Sequence, residues 1–323
     1  MVDQTGIPEK FTYVTFSNYR QVAKAIEKMV VRGAPAIGVA AAMGVALAAK
    51  SSNASDRDRF MEELRKAGTV LCQSRPTAWN LFWAVERMLR RAEATTGSTK
   101  EIAEETVREA KRIAREDVEA NHKIGEFGSS LIKDGDSVLT HCNAGTLATV
   151  SYGTALAPIR TAVRQGKKVS VIATETRPRL QGARLTAFEL LKDRIPVTLI
   201  VDGAAGYVMR RGMVKLAIVG ADRITSRVVA NKVGTYLIAL AAKENHVPFY
   251  VAAPSSTFDL KGADQVEIEE RDACEITHIG GKRVPPRGVA VFNPAFDMTP
   301  VELVDGFITE KGVLKPADLA STV

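Results

Sequence analysis

From residue 137 onward the chain repeats one pattern, a short apolar run rich in β-branched residues followed by an amphipathic stretch. The runs are SVLTHC (137–142), VSVIATET (169–176), VTLIVDG (197–203), LAIVGAD (216–222) and VPFYVAA (247–253). Helical stretches lie between them, at 147–164, 183–191 and 233–244. Strands that are apolar throughout, rather than on alternate residues, are buried on both faces. Alternating with helices, they predict a parallel sheet with helices on each side, a Rossmann-like doubly wound domain.

The first 130 residues read differently. Ser17 is placed to cap a helix through Met29, where Val22, Ala25, Ile26 and Met29 recur at helical spacing. Gly33 and Pro35 open a second helix, and further helical stretches run at 55–72, 77–93 and 99–133. The fold class expected is therefore α/β, with an N-terminal mostly helical domain (1–133) followed by a Rossmann-like catalytic domain (134–323). A length of 323 residues and 46% hydrophobic content suit two cores. The uncharged stretch 33–49 is Ala- and Gly-rich and only 17 residues long. A membrane span takes about 20 residues with larger apolar side chains, so a buried, closely packed helix is expected and no membrane.

The net charge of +7 would suit an acidic partner, but basic and acidic residues are interspersed, as at 108–119. No basic block or basic-aromatic stripe points to nucleic acid. Cys72, Cys142 and Cys274 are distant from one another and odd in number, with no CxxC and no Cys/His cluster. Neither a disulfide framework nor a metal site is expected, and a reducing, cytoplasmic compartment fits. The first residues lack the apolar core of a signal peptide. There is no GxxxxGK[ST], and no GxGxxG follows a strand, so nucleotide cofactors are disfavoured and none is expected.

Open parallel sheets bind ligands at the carboxyl ends of their strands. That rule selects Cys142 with Asn143 after one run, Glu175, Arg177 and Gln181 after the next, and Asp222 after 216–221, with Asn231 and Lys232 beyond. Singly, a cysteine is more often an inert small residue and an Asp after a strand a turn former. Together on one rim they form a candidate site. His141 is expected to be structural. Three places offer a helix N-terminus for an anion: Arg32-Gly33-Ala34-Pro35, Gly145-Thr146 and Asn231-Lys232.

The same residues lie in motifs that resemble the 5-methylthioribose-1-phosphate isomerases, within the superfamily of the translation initiation factor 2B regulatory subunits. The motifs are VRGAPAIGVAAA (31–42), RPTAWNLFWA (75–84), THCNAGTLAT (140–149), ETRPRLQGARLTAFEL (175–190), VGADRI (219–224), VANKVGTY (229–236) and VAAPSSTFDL (251–260), with the region 268–300. The resemblance implies an aldose–ketose isomerase of methionine salvage acting on a sugar phosphate. It implies Cys142 and Asp222 as the catalytic pair, and substrate contacts from Arg32, Gly33, Ala34, Arg75, Gln181, Asn231 and Lys232. It further implies a site in the cleft between the two domains, and a homodimer. Asp222 would be the general acid/base. Cys142 would either move the C1/C2 proton or stabilise the charge of a hydride shift, and both routes stay open.

The chain departs from the family in three places. The family usually has residues before Asp3-Gln4-Thr5, so either a leading strand or hairpin is missing or the start is misassigned. Met43 stands where an aromatic is common. Thr225-Ser226-Arg227-Val228 replaces a longer loop with a Gly-Asp step, and leading into Asn231-Lys232 it is expected to influence what the sugar's 5-position meets. A 5-deoxyribose 1-phosphate or ribose 1,5-bisphosphate isomerase is thus the nearest alternative. A non-enzymatic initiation factor 2B-like subunit is the alternative of another class.

Overall fold

The computed structural model describes residues 1–260 and 266–319, so the last four residues of the expected second domain lie outside it. Five helices come first: α1 (Tyr19–Glu27), α2 (Ala34–Ser51), α3 (Arg57–Gln73), α4 (Trp79–Ala94) and α5 (Thr99–Ser129). Asn18 caps α1, not Ser17. The Asn18 side chain accepts from the Gln21 amide at 3.0 Å, whereas Ser17 is turned to the Gln21 side chain. Ser98 and Glu101 cap α5 reciprocally, satisfying amide groups that its first turn leaves without an intrahelical partner.

Helix α2 packs against the other four. It is long and apolar enough to cross a membrane, but 72% of it is buried inside the protein. Small residues make this possible. A side chain at Gly38 would lie 2.8 Å from the Asn80 carbonyl oxygen, so α4 could not approach a larger residue there. Around this helix Ile26, Ile37, Leu71, Leu81 and Met88 are fully buried, each contributing about 1.5–3 kcal/mol by leaving water.

The second half alternates as expected: β1 (Ser137–Thr140), α6 (Leu156–Arg164), β2 (Ser170–Thr174), α7 (Ala187–Lys192), β3 (Val197–Ile200), α8 (Ala205–Arg210) and β4 (Leu216–Val219). A hairpin of β5 (Arg223–Ile224) and β6 (Val228–Lys232) follows, then α9 (Thr235–Glu244) and β7 (Phe249–Ala252). After β7 come the short α10 (Cys274–Thr277), β8 (His278–Ile279) and β9 (Lys282–Arg283), then β10 (Phe296–Pro300), β11 (Gly306–Thr309) and β12 (Gly312–Leu314). Seven strands form one sheet in the order β12-β11-β7-β4-β1-β2-β3, parallel except for β12. From β1 the chain builds outward through β2 to β3, then returns to add β4, β7 and β11 on the other side. The order therefore reverses between β1 and β4, and the crevice of a doubly wound sheet opens at such a reversal.

Several boundaries differ from the sequence reading. Strands β1 and β2 end two residues early because Cys142 and Thr176 take left-handed φ angles of 62° and 65°, which no ladder accommodates. Helix α6 starts at 156 rather than 147, since Tyr152 and Gly153 turn the chain with positive φ and Gly153 packs against Gly145. The edge strand β3 is not covered on both faces; Leu199 is exposed. At the N-terminus, residues 1–14 fold back on themselves through a Val2–Tyr13 bridge.

Candidate active site

The carboxyl ends of β1 and β4 flank the reversal. Two residues past β1 stands Cys142; three past β4 stands Asp222. The left-handed turn at Cys142 lifts it off the strand, and its amide donates to Thr176 Oγ1 at 2.9 Å, tying it to the end of β2. The loop after β2 doubles back tightly. A side chain at Gly182 would fall 1.8 Å from the Thr174 carbonyl oxygen, so glycine is required for the loop to bring Gln181 to the rim.

The catalytic pair and the seven substrate contacts that the resemblance implies all line one cavity here, with Asn143; Glu175 and Arg177, marked from the strand end alone, do not, and Arg177 donates to the Ile276 carbonyl instead. Arg32, Gly33 and Ala34 come from the start of α2, Arg75 from just past α3, and Cys142 and Asp222 from the reversal. Gln181 comes from the loop after β2, and Asn231 and Lys232 from the end of β6. Asp222 is drawn in by its amide, which donates to the Ala230 carbonyl. Lys232 is buried, and its ammonium donates to the Ala295 carbonyl at 2.6 Å. Arg75 donates to Glu269 at 3.1 Å.

Two buried polar atoms in the lining, Arg75 Nε and Gln181 Oε1, have no hydrogen-bond partner among the described residues. A donor and an acceptor left open in a cavity suit a ligand rich in hydroxyls, because an unmet buried polar group costs about 1–3 kcal/mol. His141 is 1% exposed. Its Nε2 donates to the Val233 carbonyl at 2.9 Å, so Nδ1 is the acceptor, taking the Thr174 hydroxyl at 2.6 Å. Burial pushes its pKa down to about 4. It is a neutral strut between the β1–β2 rim and the loop after β6.

The charged groups perturb one another. Burial raises the Asp222 pKa above the ordinary carboxyl range, against the pull of Arg75, Lys232 and Arg32. Burial likewise raises the Cys142 thiol, opposed by Arg32 and Lys232 and reinforced by Asp222. Lys232 is lowered by burial, against the attraction of Cys142 and Asp222. The resting site therefore favours a neutral thiol beside a carboxyl that holds its proton unusually well.

Of the three expected anion places, two are filled by carboxylates of the chain itself. Glu189 takes the amides of Thr146 and Leu147 at 2.7 and 3.2 Å. Asp297 takes those of Gly234 and Tyr236 at the start of α9, and Asn231-Lys232 lie on β6 rather than at a helix start. The start of α2 is left. A side chain at Gly33 would meet the Ala148 backbone at 2.4 Å, so glycine lets this helix end come down against the rim. Thr225–Val228 form the far tip of the β5–β6 hairpin and do not line the cavity. Antiparallel pairing carries this tip away from Asp222 and Asn231.

Sequence reading missed the segment before β10. Arg271, Glu275 and Asn293 also line the cavity, with Phe296 at the first position of β10, and the segment is pinned by the pairings of Arg271 with Asn293 and Ala295 with Glu269. It lacks periodicity; the only signal was that 268–300 matched a motif. Its charges are internally matched: Glu269 pairs with Arg75 and Arg271, and Glu275 with Arg179 and Arg271. Among the described residues no group of His, Cys, Asp and Glu could hold a metal ion.

A family model described as the initiation factor 2 subunit family matches residues 30–316. The chain belongs to that family. The methylthioribose-1-phosphate isomerase of Geotalea daltonii is 54% identical over 98% of this chain and 92% of its own. The solved 5-methylthioribose 1-phosphate isomerase of Pyrococcus horikoshii OT3 is 44% identical, with a TM-score of 0.89 over 98% of this chain and 89% of that one. The solved translation initiation factor eIF-2B subunit delta of A. fulgidus is 50% identical with a TM-score of 0.86, covering 99% of this chain and 94% of that one.

Proposed function

We propose that this chain is an aldose–ketose isomerase converting 5-methylthioribose 1-phosphate to 5-methylthioribulose 1-phosphate, the methionine-salvage step. The observation that carries this reading is a half-buried carboxyl and a half-buried thiol, both raised in pKa by desolvation, on either side of the sheet's reversal point, in a chain 54% identical to an isomerase so named. The chain is read as a helical domain (1–133) and a catalytic domain (134–323), with the site in the cleft between them.

The substrate's anomeric oxygen carries phosphate, so the ring opens only if its own oxygen is protonated. Asp222, whose hold on its proton is strengthened by burial, gives that proton as the C1–O bond breaks. The hydrogen on C2 then moves to C1, and the C2 hydroxyl proton returns to Asp222 as the ketone forms, which restores the acid. A neutral Cys142 thiol suits a hydride shift better than proton abstraction, since only the thiolate is a base. In that route the thiol steadies the charge developing between C1 and C2.

Arg32 and Lys232 line the cavity with no carboxylate within ion-pair distance among the described residues, and their hydrogen bonds run to neutral groups. With the start of α2 they make a place for one phosphate. The other lining arginines, Arg75, Arg179 and Arg271, already have carboxylate partners. A second phosphate would have to displace one, which favours the methylthio sugar over ribose 1,5-bisphosphate. Turnover of the methylthio, 5-deoxy and 5-phospho substrates side by side should rank the methylthio sugar first in kcat/KM. Preference for the bisphosphate would overturn that choice. No turnover of any of them, with binding to an initiation factor, would replace the enzyme reading altogether.

The working unit is read as a homodimer in the cytoplasm. Tyr207 on α8 and Leu237 and Leu240 on the adjoining α9 are exposed, an apolar face suited to a second copy. Three free thiols suit a reducing compartment. Sedimentation at a single chain mass, or fractionation outside the cytoplasm, would contradict these two assignments.

A further inference from the structure

A buried carboxylate that the chemistry does not use is joined through one amide to a cation that lines the cavity. Glu189, on α7, is 5% exposed and accepts four hydrogen bonds. Thr146 and Leu147 donate from the backbone, Arg160 Nη2 from 2.8 Å, and Asn143 Nδ2 from 2.9 Å. Asn143 is itself 3% exposed. On its other side, Arg32 donates to the Asn143 side-chain oxygen and to its backbone oxygen, both at 2.6 Å.

The Asn143 amide is thus held between two groups of opposite hydrogen-bonding character. A carboxylate only accepts and a guanidinium only donates. The amide nitrogen must face Glu189, and so the oxygen must face Arg32. We propose that Glu189 is a positioning residue for phosphate recognition: through the Asn143 amide it fixes where the Arg32 guanidinium points in the cavity. Thr186 reinforces the arrangement, accepting from Asn143 Nδ2 at 3.2 Å while donating to the Cys142 carbonyl at 2.6 Å. The proposal rests on the reading of Arg32 as a phosphate contact.

The test uses the full chain, with inorganic phosphate as a competitive probe beside substrate turnover. Glu189→Gln gives the Asn143 amide a partner with both a donor and an acceptor, so the amide can reverse and turn its nitrogen toward Arg32. The inhibition constant for phosphate and the KM should both rise about tenfold, the usual scale for a misaligned hydrogen bond to a charged group. The kcat should stay within about threefold, the signature of lost binding rather than lost chemistry. Asn143→Ala cuts the same link without touching Arg160 and should show the same split, so it decides alone if Glu189→Gln does not fold.

Glu189→Gln and Asn143→Ala should each move phosphate affinity and KM together while kcat holds, a split that a merely structural loss, felt equally at the adjoining Cys142, would not produce. Phosphate affinity unchanged in Asn143→Ala overturns the proposal. Arg32→Ala separates the two levels. If it leaves phosphate affinity intact, the phosphate assignment fails and the proposal with it. If it weakens phosphate while Asn143→Ala does not, only the positioning role fails.

Discussion

Asp222→Asn should lower kcat about a thousandfold, the middle of the range for loss of a general acid–base group, and leave KM close to its original value. The amide matches the carboxyl in shape and can still donate a hydrogen bond, but it cannot give a proton to the ring oxygen. Burial raises this carboxyl's pKa against three nearby cations, so the acid form persists to higher pH than in an ordinary Asp. Turnover should be full below that raised pKa and fall as pH rises through it. Substrate phosphate neutralises Arg32 and Lys232, two of the cations that hold the pKa down. The alkaline limb should therefore lie at higher pH in kcat, which reports the complex, than in kcat/KM, which reports the free enzyme. The opposite order, or near-normal turnover in Asp222→Asn, would remove Asp222 from the acid role.

The second large effect is expected at Cys142. Cys142→Ser should cost about a hundredfold in kcat, since the smaller, less polarizable hydroxyl fits the position but steadies a moving charge less well. The left-handed backbone at this residue is held by Thr176 and Thr186 from outside the side chain, so the fold should be retained. Product formed in deuterated water by the unmodified protein should carry no solvent deuterium at C1, because a hydride shift never exchanges with water. Solvent deuterium at C1 would establish a thiolate base instead, and an active Cys142→Ser variant would dismiss the thiol from the chemistry.

Much of this site was legible in the sequence, for a definite reason. Apolar runs alternating with helices fix a parallel sheet, and a parallel sheet places its chemistry at strand ends, so Cys142 and Asp222 could be marked from their positions alone. Arg75 could not; it stands far along the chain from both, and only the motif resemblance suggested it. Arg271 and Glu275, which come from a segment with no repeat to read, were not marked at all. Helix starts were the least reliable guide, because a free amide in the sequence is indistinguishable from one already taken by Glu189 or Asp297.

By itself the sequence determined the two structural halves, the strand ends that carry a thiol and a carboxyl, and the small residues that let α2 pass through a crowded core. These follow from local periodicity and side-chain size, which act over a few residues. Only the tertiary structure decided that β1 and β4 are neighbours at the sheet's reversal, which cations remain unpaired, and which way the Asn143 amide faces. Those depend on partners such as Arg32 and Asn143, 111 residues apart. Contacts of that span, made in a buried and poorly screened interior, set the charge state and direction of each group, and no local pattern encodes them.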